Sequence, residues 1–278
     1  KNEVILRIPV GIDPVCAKAR PDGKEVWVSN HISDSVSVID SDPSSPTYLS
    51  VIDTVQDIDP VFMSTRFDEP VGIAFAGNSK AYVALSSTNR VAVIDVKSRK
   101  VTGHLIITSQ EPRALEVSRG KLYVLPFESN NQTQLSGGKK VDLDGKLFTF
   151  IAADLAGAFD SAGFTVDVVK HKGIPDRDLY VFDVRTDKLE KSVRSLGTLL
   201  FGLDVDSAGN VFVAHTDARN HANGRAGTKG HGLEELENRP YLNRVAKVSP
   251  QGKVDFIHLN PLPPEQPKRS EGLATPFA

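Results

Sequence analysis

Little in this sequence invites disulfide, metal-cluster or covalent cofactor chemistry. Cys16 is the single cysteine among 278 residues. That leaves no internal disulfide framework, no Cys-rich zinc module and no C-x-x-C-H haem attachment motif within the chain. A lone thiol fits either redox compartment. No run approaches the ~18 apolar residues that a spanning helix requires, so no membrane span is expected. An excess of one charge is missing too. The 33 Lys and Arg stand against 35 Asp and Glu, a net charge of -2, and so weak a field favours neither nucleic acid nor an anionic membrane surface. No G-x-S-x-G elbow, H-E-x-x-H helix or P-loop occurs, which removes the familiar hydrolase, zincin and nucleotide signatures. The opening KNEVILRIPV shows neither an initiator Met nor a signal-peptide pattern and reads as a processed or trimmed product.

What the chain does have is internal repetition. Four segments read as apolar strands ending in small or polar residues: VWVSN at 26–30, AYVALS at 81–86, LYVLPF at 122–127 and VFVAHTD at 211–217. Each is followed by a partner: SVSVID at 35–40, RVAVIDV at 90–96, DLYVFDV at 178–184 and RVAKVS at 244–249. Ahead of each first strand stands a polar, glycine-bearing turn (PDGKE, AGNSK, SRG, DSAGN), the chemistry of tight reversals. Ahead of each turn lies another short strand: DPVCAKA, EPVGIAF, EPRALEV and LFGLDVD. With a weaker fourth strand such as VTGHLII at 101–107, the unit is a four-stranded antiparallel blade, and its repetition predicts an all-β propeller. The step from Ala81 to Leu122 fits the ~40–45 residues of such blades. A β-sandwich, the competing fold, does not predict this recurrence.

PDGKEVWVSNHISDSVSVID, with the P-x-G-I-A-F and RVAVIDV stretches of the second blade, resembles the YVTN repeat of the YncE-like and surface-layer-like bacterial β-propellers. The resemblance covers the cores of four blades and none of the insertions. It implies an exported protein, periplasmic or extracellular, and a ring of seven blades. Several members of that family carry a fused c-type cytochrome domain, so it also implies that haem, if present, lies outside this segment.

The expected organisation is one incomplete propeller over 1–278, with blades at 9–55, 68–108, 110–196 and 198–260. EGLATPFA at 271–278 would start a fifth blade, and EVILRI at 3–8 would be the strand that closes the ring and protects its edges. The missing blades would come from the rest of the protein or from another chain; a closed four-bladed ring is the alternative. Between second and third strands the first two blades have short turns, Val28 to Val38 and Val83 to Val93, whereas Val124 to Val181 and Val213 to Lys247 span long excursions. Alternate turns of a meander emerge on alternate sides. The insertions 130–176 and 217–243, with a third excursion at 56–67 in a connection between blades, are therefore expected on one face, where loops on a rigid scaffold carry function. A short helix is expected near 152–159.

Candidate chemistry concentrates in the second insertion. His215, His221 and His231, with Asp217, offer imidazole and carboxylate ligands suited to a copper or zinc ion, although their spacing matches no established signature. Asp142-Leu143-Asp144-Gly145 resembles the start of a calcium loop but lacks the closing glutamate and reads as a turn. Arg219, Asn220, Arg225, Lys229, Arg239 and Arg244 form a basic ligand or partner face. Asp40, Asp95 and Asp183 recur at equivalent third-strand ends and are expected to cap turns, while Trp27 and Cys16 are expected in strands as core residues. Three functions remain open: a non-catalytic binding or scaffold module presenting the loop-rich face to a protein or small ligand; the propeller part of a periplasmic redox or electron-transfer protein with a c-type haem domain beyond residue 278; and a lactonase-type hydrolase. Fold alone does not choose among them.

Overall fold

A computed structural model describes residues 3–128, 134–136, 166–168, 177–218 and 241–262. Among these residues are eighteen strands and no helix. Sixteen strands form four antiparallel four-stranded sheets. The first holds β1 (Pro14–Ala19), β2 (Glu25–Asn30), β3 (Ser35–Asp40) and β4 (Val51–Val55). The second holds β5 (Pro70–Ala76), β6 (Lys80–Leu85), β7 (Arg90–Asp95) and β8 (Lys100–Ile106). In the third, β9 (Gln110–Ser118), β10 (Lys121–Glu128), β13 (Leu179–Asp183) and β14 (Leu189–Val193) assemble around an excursion whose β11 (Gln134–Ser136) and β12 (Val166–Val168) pair with each other. The fourth holds β15 (Leu199–Val205), β16 (Val211–Ala218), β17 (Tyr241–Val248) and β18 (Val254–His258). Every sheet is a sequential meander, the predicted blade order.

Two compact units result, Lys1–Phe127 with Leu179–Ser192, and Glu128–Asp178 with Val193–Ala278. The first carries three blades. β6 shows why its strands read as nearly continuous apolar runs, since both its faces are covered. Ala81, Val83 and Leu85 join Trp27, Val36 and Val38 of the first blade in one core. Tyr82 and Ala84, pointing the other way in the strand alternation, join Leu122 and Tyr180 of the third in another. Burial of each large side chain in such a core contributes about 1.5–3 kcal/mol. Trp27 is fully buried and half-buried Cys16 packs against the first core.

The aspartates at the third-strand ends cap turns. Asp40 accepts from Asp42 N and Thr47 Oγ1, Asp95 from Ser98 N and Oγ, and Asp183 from Thr186 N and Oγ1. Residues 3–8 depart from expectation: they form no strand, and Ile5 is 90% exposed. Among the described residues no strand pairs with this apolar hexapeptide, so no ladder holds it extended. The predicted helix near 152–159, the turn at 142–145 and the strand at 271–278 lie outside the described residues.

Candidate functional site

In the first unit, the loops joining second to third strands and the connections between blades emerge at one end. Three connections enter their inner strands through an acidic residue followed by proline: Asp13-Pro14, Glu69-Pro70 and Glu111-Pro112. All three acidic residues hold the left-handed conformation, at φ of 58°, 49° and 52°, a strain that persists only where surroundings enforce it. The enforcement is visible. Glu69 N donates to Asp34 Oδ1 at 3.0 Å and Glu111 N to Asn89 Oδ1 at 2.8 Å. His31 N donates to Asp13 O at 2.8 Å and Ser86 N to Glu69 O at 3.1 Å. Asp34 and Asn89, themselves at φ of 48° and 52°, are residue types that tolerate this region.

These loops surround a cleft of about 350 Å³, lined by His31, Glu69, Ser86, Ser87, Asn89, Gln110, Glu111 and Arg113. The lining is polar throughout. Ser86 Oγ donates to Glu69 Oε2 at 3.2 Å, and Ser87 Oγ to Asp68 Oδ2 at 2.8 Å. Arg113 is fixed on two sides, its guanidinium carbon 4.2 Å from the centre of the Phe127 ring and Nη2 donating to Glu111 Oε2 at 2.5 Å. Among the described residues its guanidinium has no further hydrogen-bond or ion-pair partner. Nδ1 of His31 is buried and, among the described residues, has no hydrogen-bond partner. Beneath Arg113, Gly72 of β5 allows the close approach of two backbones: a Cβ there would lie 2.2 Å from Arg113 O.

Of the site residues expected from sequence, His215, Asp217 and Arg244 are described and come together in the fourth blade. Arg219, Asn220, Arg225, Lys229, Arg239, His221 and His231 lie outside the described residues. In register, His215 of β16 faces Arg244 of β17, which faces His258 of β18. Arg244 donates to Asp217, Nη2 to Oδ2, at 2.6 Å and lies 4.2 Å from the Phe256 ring centre. His215 is fully buried against Gly197, where a Cβ would fall 2.1 Å from Nδ1. Among the described residues neither of its ring nitrogens completes a hydrogen bond of good geometry. Burial, then the Arg244 charge, holds its pKa down at about 4. The same two causes lower His258. A guanidinium between two imidazoles opposes a cation at this spot. Among the described residues no three His, Cys, Asp or Glu side chains gather as metal ligands.

The cleft itself was not singled out in the sequence. The recurrent acidic-proline dipeptide is a readable signal for its rim; His31, Gln110 and Arg113, which do not recur, carry none.

No family model matches the chain, and no curated protein matches it. Solved structures do. U3-55K aligns over 90% of this chain and 53% of its own, at 9% identity and a TM-score of 0.53. The RRP9 WD40 repeats align over 90% and 52%, at 9% identity and a TM-score of 0.52. The Kuenenia stuttgartiensis hydrazine synthase aligns over 92% and 69%, at 14% identity and a TM-score of 0.45. The chain thus spans about half the length of the first two. At such identities the first two speak to fold alone, and with the four meander sheets they make this chain an all-β protein of the β-propeller fold.

Proposed function

We propose that the chain is a binding module, an exported propeller of the YVTN-repeat kind, whose cleft on the loop-bearing end of the first unit takes a small hydroxylated ligand with one anionic group, such as a sugar acid. The carrying observation is Arg113. Stacking on Phe127 and the bond to Glu111 hold its guanidinium in place, so little side-chain entropy is lost when its free N–H groups grip a carboxylate. Around it, Glu69, Ser86, Asn89, Gln110 and the unpartnered Nδ1 of His31 supply the mixed donors and acceptors that hydroxyl groups require. Export draws support from the repeat resemblance.

Calorimetric titration with glucuronate, with glucose as the uncharged control, tests this reading. Glucuronate is expected to bind and glucose to bind more weakly, and Arg113→Ala should weaken glucuronate by about tenfold or more, the loss of a charge-assisted bond. Equal binding of the acid by Arg113→Ala, or no binding of either compound, overturns it.

A further inference from the structure

The connection between the first and second blades bears a second, chemically opposite feature. Residues 56–67 form a small hairpin closed by a bridge between Ile58 and Thr65. Asp59 organises its tip. The carboxylate Oδ1 accepts from Val61 N at 2.8 Å and Phe62 N at 3.0 Å, while Asp59 O accepts from Met63 N at 2.9 Å. Asp59 N donates to Ser64 O at 2.8 Å and Arg66 N to Asp57 O at 2.7 Å. At the base, fully buried Phe67 enters the core shared by the first two blades. The loop is therefore built, with its backbone bonded internally and its stem anchored.

The tip nevertheless holds three consecutive large apolar side chains in water: Val61, Phe62 and Met63 are 77%, 81% and 74% exposed. Ile32, on the neighbouring loop between β2 and β3, and Ile12 are exposed at the same end. Burying any of these within the hairpin would have favoured the free protein. A contiguous exposed apolar patch on a pre-formed element marks a contact surface.

We infer that this hairpin is a docking knob whose occupant is an apolar pocket, rimmed by Lys and Arg, on a partner protein. The surrounding charge selects that partner. Asp57, Asp59, Asp68, Asp34 and Glu69 stand near the knob; against these five are two cations, Arg66, which lies 3.6 Å from Asp57 and 3.9 Å from Asp59, and Arg90, which acts on His104 together with Asp57 and Arg66. Loops that enter lipid are flanked by basic residues that anionic headgroups attract; this acidic surplus repels such a surface and complements a basic rim. Because Asp59 and the bridge fix the tip beforehand, little ordering entropy opposes docking, and a central aromatic beside Met is the side-chain chemistry of an interface anchor. The inference goes beyond the cleft ligand and shares with it only the loop-bearing end.

The test places a photo-cross-linking phenylalanine at position 62 of the full chain in the cells that make it and maps the cross-linked peptide by mass spectrometry. The purified pair is then titrated. Support requires a cross-link to a protein at an apolar pocket bordered by Lys or Arg and an affinity that falls as salt rises. Phe62→Ser should also weaken binding about 30-fold, the size of an anchor residue's loss. Met63, the chain's single methionine, should be slower to oxidise to the sulfoxide in the complex. Because the tip is exposed, Phe62→Ser should unfold at the wild-type urea midpoint, so lost affinity reads docking and not folding. The knob is overturned by cross-links confined to lipid, with sedimentation on phosphatidylglycerol vesicles; by cross-links to a second copy of this chain; by no protein adduct; or by an affinity within threefold of wild type in Phe62→Ser. Arg113→Ala should leave the pair's affinity unchanged while weakening glucuronate about tenfold or more, so failure of either reading is separate from failure of the other.

Discussion

The two ends of the three blades in the first unit are built on different rules. At the end bearing the tight turns, charges are consumed by the structure. Glu25 accepts from Trp27 Nε1 at 2.9 Å, Arg20 Nη1 at 2.8 Å and Arg99 Nη2 at 2.6 Å, which ties the first blade to the second. At the equivalent place one blade on, Lys80 Nζ reaches Asp187 at 2.9 Å and Tyr82 OH donates to the same carboxylate at 2.5 Å, which ties the second blade to the third with the signs reversed. Burial and that carboxylate push the Tyr82 phenol well above its ordinary value. At the loop-bearing end, by contrast, among the described residues Arg113 keeps unused donors, His31 an unpartnered nitrogen, and the 56–67 hairpin its apolar tip in water. One end spends its polar groups on clasping blades together; the other leaves them available to a ligand.

The comparison breaks most visibly at Glu25. Glu25→Ala strands the Trp27 N–H and two guanidinium groups beneath a 7% exposed carboxylate position, and should cost about 4 kcal/mol, as removal of one partner from a buried pair does. Urea unfolding measures the loss, which should leave glucuronate affinity unaltered. Pairing Glu25→Lys with Arg99→Asp copies the Lys80–Asp187 arrangement and should recover part of it.

The fourth blade's cross-strand row tests whether a buried group can be neither clasp nor ligand site. His215 has a folded pKa near 4 against about 6.5 when unfolded. Between those values the unfolded chain binds more protons, so the stability tied to neutral His215 is complete above pH 6.5 and drains away as the pH falls toward 4, by about 3 kcal/mol at most. His215→Leu should flatten that limb of the stability curve relative to wild type, with His258 titrating in both. Identical pH profiles would show that His215 is solvated. A smaller effect is expected at Gly72: Gly72→Ala drives a Cβ into the Arg113 carbonyl, and should cost about 2 kcal/mol by overpacking. Unlike Glu25→Ala it should also weaken glucuronate, because the displaced strand carries Arg113.

The repeated parts of this architecture were legible and the unrepeated parts were not. Trp27, the aspartates at 40, 95 and 183, and the strand-turn-strand order announce themselves because each occupies a position that several blades must solve in the same way. Long-range pairings are silent: nothing local marks Glu25 for Arg99 or Lys80 for Asp187, because the pairs lie far apart in sequence and their signs invert. The cleft escaped for a related reason. The histidine-rich insertion is conspicuous in composition, whereas Arg113 sits in an ordinary strand and gains its role from Phe127 and Glu111. At 3–8, an apolar pattern suggested a strand that only a neighbouring edge could have held.

The finest discrimination between the two ends comes from Asn89. Its side chain accepts from Glu111 N, its backbone sits at φ 52°, and it lines the cleft. Asn89→Gly keeps the backbone conformation at low cost and removes only the hydrogen bond, so stability should fall by about 1 kcal/mol. Asn89→Ala adds left-handed strain and should fall slightly further. Neither loss approaches that of Glu25→Ala. Both variants nevertheless free Glu111, which holds Arg113 in place, so glucuronate affinity should decline although neither substitution removes a charge. If affinity holds while stability drops, Asn89 belongs with the clasping residues of the opposite end, and the division between the two ends fails at the residue that most directly joins rim geometry to ligand contact.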